Sequence, residues 1–194
     1  MITSRQNSKI KRVKSLSSQG KFRKKEAAYV LEGIRLLEEA ARSKQVPELV
    51  LFIPELEQRG RVLIEAYQNQ NIPCEETAPE LLKATSDTEN PQGILAVFPQ
   101  DPVPLPSSLN LVLIADTVRD PGNLGTLMRT ALAAGVDGLI LSPGTVDPFS
   151  PKVIRAGMGA HFSLPILSAT WDEISRLTEG LTLFLADMDQ GKSL

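Results

Sequence analysis

Cysteine and histidine are nearly missing from these 194 residues, where Cys74 and His161 each stand alone. A single cysteine excludes a disulfide scaffold and fits a reducing compartment. Lacking a CxxC partner, Cys74 reads as a small buried apolar residue. A single histidine excludes a His-based triad and a His-rich metal site, so His161 reads as a packed or surface side chain. Aromatics are scarce at 5%. No apolar run reaches the roughly 18–20 residues of a membrane helix. No apolar stretch follows the N-terminal charges, as a secretory signal would require. Repeats and low-complexity tracts are also missing. What remains, 42% hydrophobic and 23% charged residues, suits one large or two small globular domains, expected to be soluble and cytoplasmic.

Acids are missing from one place in particular. Residues 1–25 hold Arg5, Lys9, Lys11, Arg12, Lys14, Lys21, Arg23, Lys24 and Lys25 and no Asp or Glu. The other 169 residues hold the remaining twelve bases and all 23 acids, so the two segments carry +9 and −11. That asymmetry points to a polyanion-binding basic arm on an acidic body, with a solvated tail as the plainer alternative. Only Phe22 is aromatic within it, so composition does not name the polyanion.

Periodicity predicts alternating helices and strands. Ile10, Val13 and Leu16 recur at helical spacing within Asn7–Ser18. Ala27–Leu31 is a short apolar stretch, and Ile34, Leu36, Leu37, Ala40 and Ala41 mark an amphipathic helix. Further strands are expected at Leu49–Ile53, Ile72–Cys74 and Gly93–Phe98, with helices around Val62–Tyr67 and Pro79–Ala84. Pro99, Pro102, Pro104 and Pro106 then interrupt any regular element. The expected division is therefore an N-terminal domain over 1–98, a linker over 99–110 and a second α/β domain over 111–194. In the second domain strands are expected at Leu111–Ala115, Gly138–Leu141 and Leu181–Ala186. Helices are expected from about Asn123 to Gly135, over Pro151–Ala156 and over Trp171–Leu177.

The most informative stretch runs from Ala115 to Ala131. It reads as a strand, a Pro121-Gly122 turn needing positive φ, and a helix whose first turn holds Asn123 and Gly125. Gly125 permits close approach of another backbone, and the orphan N–H groups of a helix start favour an anion. Arg129 follows Asn123 by six residues, roughly 120° away around the helix, so the two can line adjoining walls of one crevice. An ordinary cap plus a solvated arginine would look the same. Gly122-x-x-Gly125 lacks the G-x-G-x-x-G order, which weakens a dinucleotide-binding oxidoreductase. Asp116 and Asp120 lack a third acid for a hard cation, so no metal is assigned.

The wider pattern Asp120-Pro121-Gly122-Asn123-x-Gly125, Arg129-Thr130-Ala131 and Gly135-Val136 resembles motif 1 of the SpoU/TrmH-type RNA ribose 2′-O-methyltransferases of the SPOUT superfamily. Val146-Asp147-Pro148, Ser150–Ala156 and Met158-Gly159-Ala160 are similar to the same family, except that Gly157 stands where relatives often carry Ser. Ser4–Asn7, Ile10-Lys11, Glu32-Gly33 with Arg35, and Pro91-Gln92-Gly93 before Leu95-Ala96-Val97 resemble its N-terminal substrate-binding domain. The resemblance spans nearly the whole chain.

It implies a trefoil-knot α/β domain behind a small α/β RNA-binding domain. It also implies methyl transfer from S-adenosylmethionine to a ribose 2′-hydroxyl of rRNA or tRNA. A non-catalytic RNA-binding descendant is the alternative. Asn123 and Arg129 then occupy the catalytic positions. A guanidinium has no acceptor and stays protonated, so Arg129 is better suited to forking onto a phosphate and stabilising an alkoxide than to acting as a base. Arg5, Lys9, Lys11, Arg12, Lys14, Arg23, Lys24, Glu32 and Arg35 become RNA-contact candidates, with Glu32 equally readable as a helix N-terminal acid. The family's two later motifs, a Gly-Pro-Glu-Gly-like loop and a knotted Ser-Leu-Asn-x-Ser segment, have no match here. In the family those loops supply most of the cofactor pocket, with motif 1 as an adjoining wall, and the same segment forms much of the homodimer interface. Weak S-adenosylmethionine binding and exposed apolar surface on the Leu181–Ala186 strand and the Asn123–Ala134 helix are therefore expected for these 194 residues.

Overall fold

A computed structural model describes residues 1–186. Two β-sheets lie on either side of the proline-rich segment. The first is four-stranded, in the order β1 (Ala28–Glu32), β4 (Ile94–Pro99), β2 (Leu49–Phe52), β3 (Cys74–Glu76). Its β4 runs antiparallel to both neighbours, whereas β2 and β3 are parallel. The second is a parallel sheet in the order β5 (Val112–Ala115), β6 (Gly138–Leu141), β7 (Ile166–Ser168). Helices α3 (Ile34–Arg42), α4 (Gln58–Asn69) and α5 (Pro79–Thr85) serve the first sheet; α6 (Pro121–Ala133), α7 (Pro151–Gly157) and α8 (Trp171–Leu177) serve the second. This is the mixed α/β class that the alternation predicts.

The basic N-terminal segment is folded, not a loose arm. Ile2 donates to Glu76 and accepts from Ala78, which ties the terminus to the edge of the first sheet. Asn7 caps α1 (Ser8–Ser18) by accepting from the Lys9 amide at 2.9 Å. Ile10, Val13 and Leu16 are buried there among Ala28, Val30, Leu82 and Val97. At roughly 1.5–3 kcal/mol per buried side chain, that face outweighs the screened repulsion among the bases opposite. A second helix, α2 (Gly20–Glu26), follows directly and ends at Ala27, whose φ is +47°.

The last expected strand does not form. Leu181–Ala186 is irregular and pairs with neither edge of the second sheet, and Leu183, Phe184 and Leu185 are 73–84% exposed. A strand needs a partner for its amides, and an apolar pattern alone does not supply one. Apolar surface is exposed there, whereas on the helix over residues 121–133 only Leu132 among the large apolar residues is exposed. Strand β3 also begins two residues later than the apolar pattern of Ile72–Cys74 suggests, because the Ile72 amide bonds back to the Tyr67 carbonyl and Pro73 has no N–H to give a ladder.

The two sheets share core. Ile154 of α7 and Phe162 are buried with Tyr29, Leu36, Leu37 and Phe98 of the first sheet and its helices. Phe149 sits between Tyr29 and His161, with centroid separations of 5.1 and 5.6 Å.

Candidate functional site

The loops at the C-terminal ends of β5 and β6 are stitched together. Thr117, at φ +51°, donates its amide to Ser142 Oγ at 2.9 Å. The hydroxyls of Ser142 and Thr117 each donate to Asp116 Oδ1 at 2.8 Å. Thr145 Oγ1 donates to the Ala115 carbonyl at 3.1 Å, and the Val146 amide to the Val118 carbonyl at 2.9 Å. Carboxyl ends of parallel strands are where α/β sheets receive ligands.

Helix α6 starts at Pro121, two residues before the expected Asn123. Asp120 is its N-cap, accepting from the Asn123 amide at 2.8 Å, and proline takes the first helical position, where a missing N–H costs nothing. Gly122 therefore adopts helical backbone, and the expected positive-φ Pro-Gly turn is absent. The left-handed residue of this loop is Thr117. The close approach at Gly125 is real: a Cβ there would lie 2.3 Å from Ala156 Cβ and 2.8 Å from the Gly157 nitrogen. Gly135, at φ +69°, follows the helix end as expected.

Asn123 lines an open cleft of about 470 Å³ with Asp116, Thr117, Val118, Arg119, Asp120, Thr126 and Leu127. Arg129 is exposed further along α6, outside that lining. Six residues place it roughly 9 Å along the axis from Asn123. Among the described residues Arg129 enters no ion pair. A substrate wrapping around α6 could meet both.

The RNA-contact candidates fall into two groups. Arg5, Lys11, Lys14, Lys24 and Arg35 are exposed. Lys9 is paired with Glu75, and Arg12 with Glu26 at 3.5 Å and Glu48 at 2.7 Å. Arg23 is 5% exposed, with its fork on Asp147 and the Leu16 carbonyl. Glu32 accepts from Ser86 Oγ, from Thr88 Oγ1 at 2.7 Å and from the Asp87 amide at 3.3 Å, so it organises the loop beyond α5. Neighbouring Gly33, at φ +99°, leaves room for Gln92 Oε1, which accepts from the Ile34 amide at 2.8 Å. The Glu32-Gly33 and Pro91-Gln92-Gly93 motifs thus meet at the start of α3.

A second cleft, about 340 Å³, lies beyond β6 and β7 between Pro143–Pro148 and Ser168–Thr170, with Lys24 on its lining. Behind it His161 is buried, its Nε2 at 2.7 Å from the Pro148 carbonyl. Burial lowers its pKa to about 4, so the ring is neutral near pH 7 and Nε2–H donates. Sequence reasoning gave no role to Asp147, Asp87 or Arg155. Arg155 holds Asp87 at 2.8 Å, and the distance between these residues in the chain leaves no local signal of the contact.

Residues 7–96 match the family described as MRM3-like substrate binding domain, and residues 110–194 match the SpoU rRNA Methylase family. The mouse protein "rRNA methyltransferase 3, mitochondrial" is 38% identical over 86% of this chain, which spans 41% of that relative. "23S rRNA (guanosine(2553)-2'-O)-methyltransferase RlmP" of Bacillus subtilis is 36% identical over 86% of this chain and 64% of its own length. The AdoMet-bound rRNA methyltransferase from Sinorhizobium meliloti superposes with a TM-score of 0.78 at 30% identity, covering 92% of this chain and 68% of that one.

Proposed function

We propose that this chain, which belongs to the SpoU rRNA methylase family, takes part in methyl transfer from S-adenosylmethionine to a ribose 2′-hydroxyl of ribosomal RNA. One observation carries the reading: Asp120 caps α6 so that Asn123 lines the cleft beyond β5, on the same helix that displays Arg129. The names of the relatives above support the substrate class.

The cleft suits one wall of a site for that cofactor. Its lining carries the carboxylates of Asp116 and Asp120, opposite in sign to a sulfonium, beside the Thr117 and Thr126 hydroxyls. When bound, S-adenosylmethionine supplies an electrophilic methyl group. The chain's own part is positioning, which dominates in a displacement that needs the hydroxyl aligned with that carbon. Asn123 holds the ribose by hydrogen bonding. Arg129, a planar five-donor fork that remains charged, grips the adjoining phosphate and stabilises negative charge growing on the 2′-oxygen. Arg129 has no acceptor and the amide oxygen of Asn123 is too weak a base, so the proton of the hydroxyl passes to solvent water.

Lys11, Lys14 and Lys24 on α1 and α2, with Arg5 ahead of them, offer exposed bases to RNA phosphates, while Arg35 lies on α3 across the first sheet. Among the described residues no helix is long and apolar enough to cross a membrane. A cytoplasmic site of action and a homodimer complete the proposal. The lone Cys74 supports the first, and the exposed apolar side chains of Leu132, Leu183, Phe184 and Leu185 support the second. The test is tritiated S-adenosylmethionine incubated with ribosomal RNA and the purified protein, extended through the family's two later motifs. The reading expects label in a nucleoside methylated on the 2′-oxygen; label on a base would overturn it.

A further inference from the structure

The α1–α2 hairpin ends against the loop beyond β6. Arg23 Nε and Nη2 sit 2.8 and 2.7 Å from Asp147 Oδ2, and Nη1 sits 2.6 Å from the Leu16 carbonyl. Gly20 leaves room for that carboxylate, since a Cβ there would lie 3.3 Å from Oδ2. Asp147 uses its other oxygen to accept from the Phe149 amide at 2.9 Å, and its carbonyl accepts from the amide of Ser150, which immediately precedes α7. Val146, next to it, is bonded to Val118 in the loop that leads to Asp120 and Asn123. A continuous set of contacts thus runs from a basic helix of the first half to the N-terminus of α6.

A second ion pair crosses the same boundary with opposite polarity. Here the first half supplies the acid, Asp87, and the second half the base, Arg155. Glu32 fixes the Asp87 loop through Ser86 and Thr88. Two crossed pairs of reversed sign favour one docking, because a shifted one separates both and leaves the buried Arg23 charge unpaired.

We propose that Arg23 and Asp147 are a positioning pair, through which the substrate-binding half sets the loop 142–149 and, through it, the segment that presents Asn123. The proposal rests on the methyltransferase reading for its effect on turnover, while the mechanical coupling stands on the contacts alone. It also gives Arg23 a task other than gripping phosphate, for which its fork has no donor face free.

Amide hydrogen exchange on the whole chain tests the coupling. Arg23→Ala should accelerate exchange roughly tenfold, the equivalent of about 1.4 kcal/mol of lost local stability, at Asn123, Val146 and Phe149. Asp147→Asn should accelerate the same amides, and the double variant should be no faster than Arg23→Ala. Should Arg23→Ala fail to fold, Arg23→Lys, which keeps the charge but loses the fork, should give a smaller acceleration at the same amides. Acceleration confined to α1 and α2, or effects that multiply in the double variant, would overturn the proposal. In the methylation assay Asp147→Asn should lower turnover while leaving RNA affinity and its salt dependence unchanged. Weakened RNA binding with normal turnover would overturn the positioning role. If the parent protein transfers no methyl group, the methyltransferase reading fails and the exchange pattern still decides the coupling.

Discussion

Arg129 and His161 show how differently two ionisable side chains are used. Arg129 is exposed on α6 and acts, in the proposal, as a fork rather than a base. Arg129→Ala should therefore cost two or more orders of magnitude in turnover, the scale of losing one donor to a developing oxyanion, with S-adenosylmethionine affinity nearly unchanged. Arg129→Lys should be almost as poor, since a point charge does not replace a planar pair of donors. Asn123→Ala should likewise damage turnover more than cofactor affinity. In a chain extended through the family's two later motifs, steady-state kinetics with isothermal titration separates these effects, and near-normal turnover of its Lys variant would contradict the fork. His161 carries no part in the chemistry. Its folded pKa is about 4 against an ordinary 6.5, so between those values the unfolded chain binds the extra proton. The stability it contributes is complete above pH 6.5 and is lost as pH falls toward 4, roughly 2 kcal/mol by pH 5. Urea denaturation at pH 7.5 and pH 5 should show that loss, and His161→Gln should remove it from the total.

Among the elements, the α6–α7 contact and the α1–α2 hairpin carry separate expectations. A methyl group at Gly125 has no space against Ala156 and Gly157, so Gly125→Ala should force the helices apart and cost roughly 1–3 kcal/mol. Thermal unfolding should fall by several degrees at about 2–4 °C per kcal/mol for a chain of this size. Adding Ala156→Gly should restore only part of the loss, because the backbone atoms of residues 156 and 157 also stand in the way. On the hairpin, replacing exposed Lys11, Lys14 and Lys24 by Ala should weaken RNA binding and flatten the log–log salt slope by roughly 0.7–0.9 for each phosphate no longer neutralised. Filter binding across a salt series reads both effects. Arg12 and Arg23, paired within the fold, should instead change stability. Local signals explain what was legible. The i, i+3, i+6 spacing of Ile10, Val13 and Leu16 announced α1, and the apolar run to Ala115 announced β5. Helix α2 was hidden because Phe22 is its only large apolar residue and tertiary docking of Arg23 supports it. Strand β7 is only three residues long and follows directly on Pro165.

At the scale of the whole molecule, the sequence indicated two α/β halves but not how they meet. Asp147 and Arg155 were visible as parts of a resemblance, yet their partners Arg23 and Asp87 lie 124 and 68 residues away. No periodicity encodes such pairs. The nine bases of the first segment looked interchangeable in composition, and only the fold separates Lys11 or Lys24 in solvent from Arg23 in the seam. The candidate site divides in the same way. Asn123, Gly125 and Arg129 were readable because they share one helix, whereas the Asp116–Thr117–Ser142 hydrogen bonds that shape the cleft join two loops. Nucleotide-resolution mapping of 2′-O-methylation in ribosomal RNA tests the central claim most directly, in cells lacking the gene and in cells complemented with wild-type or Arg129→Ala alleles. The account predicts one or a few ribose methylations that vanish with the gene, return with the wild-type allele and stay absent with Arg129→Ala. Full methylation in the Arg129→Ala cells, or an unchanged map without the gene, would contradict it.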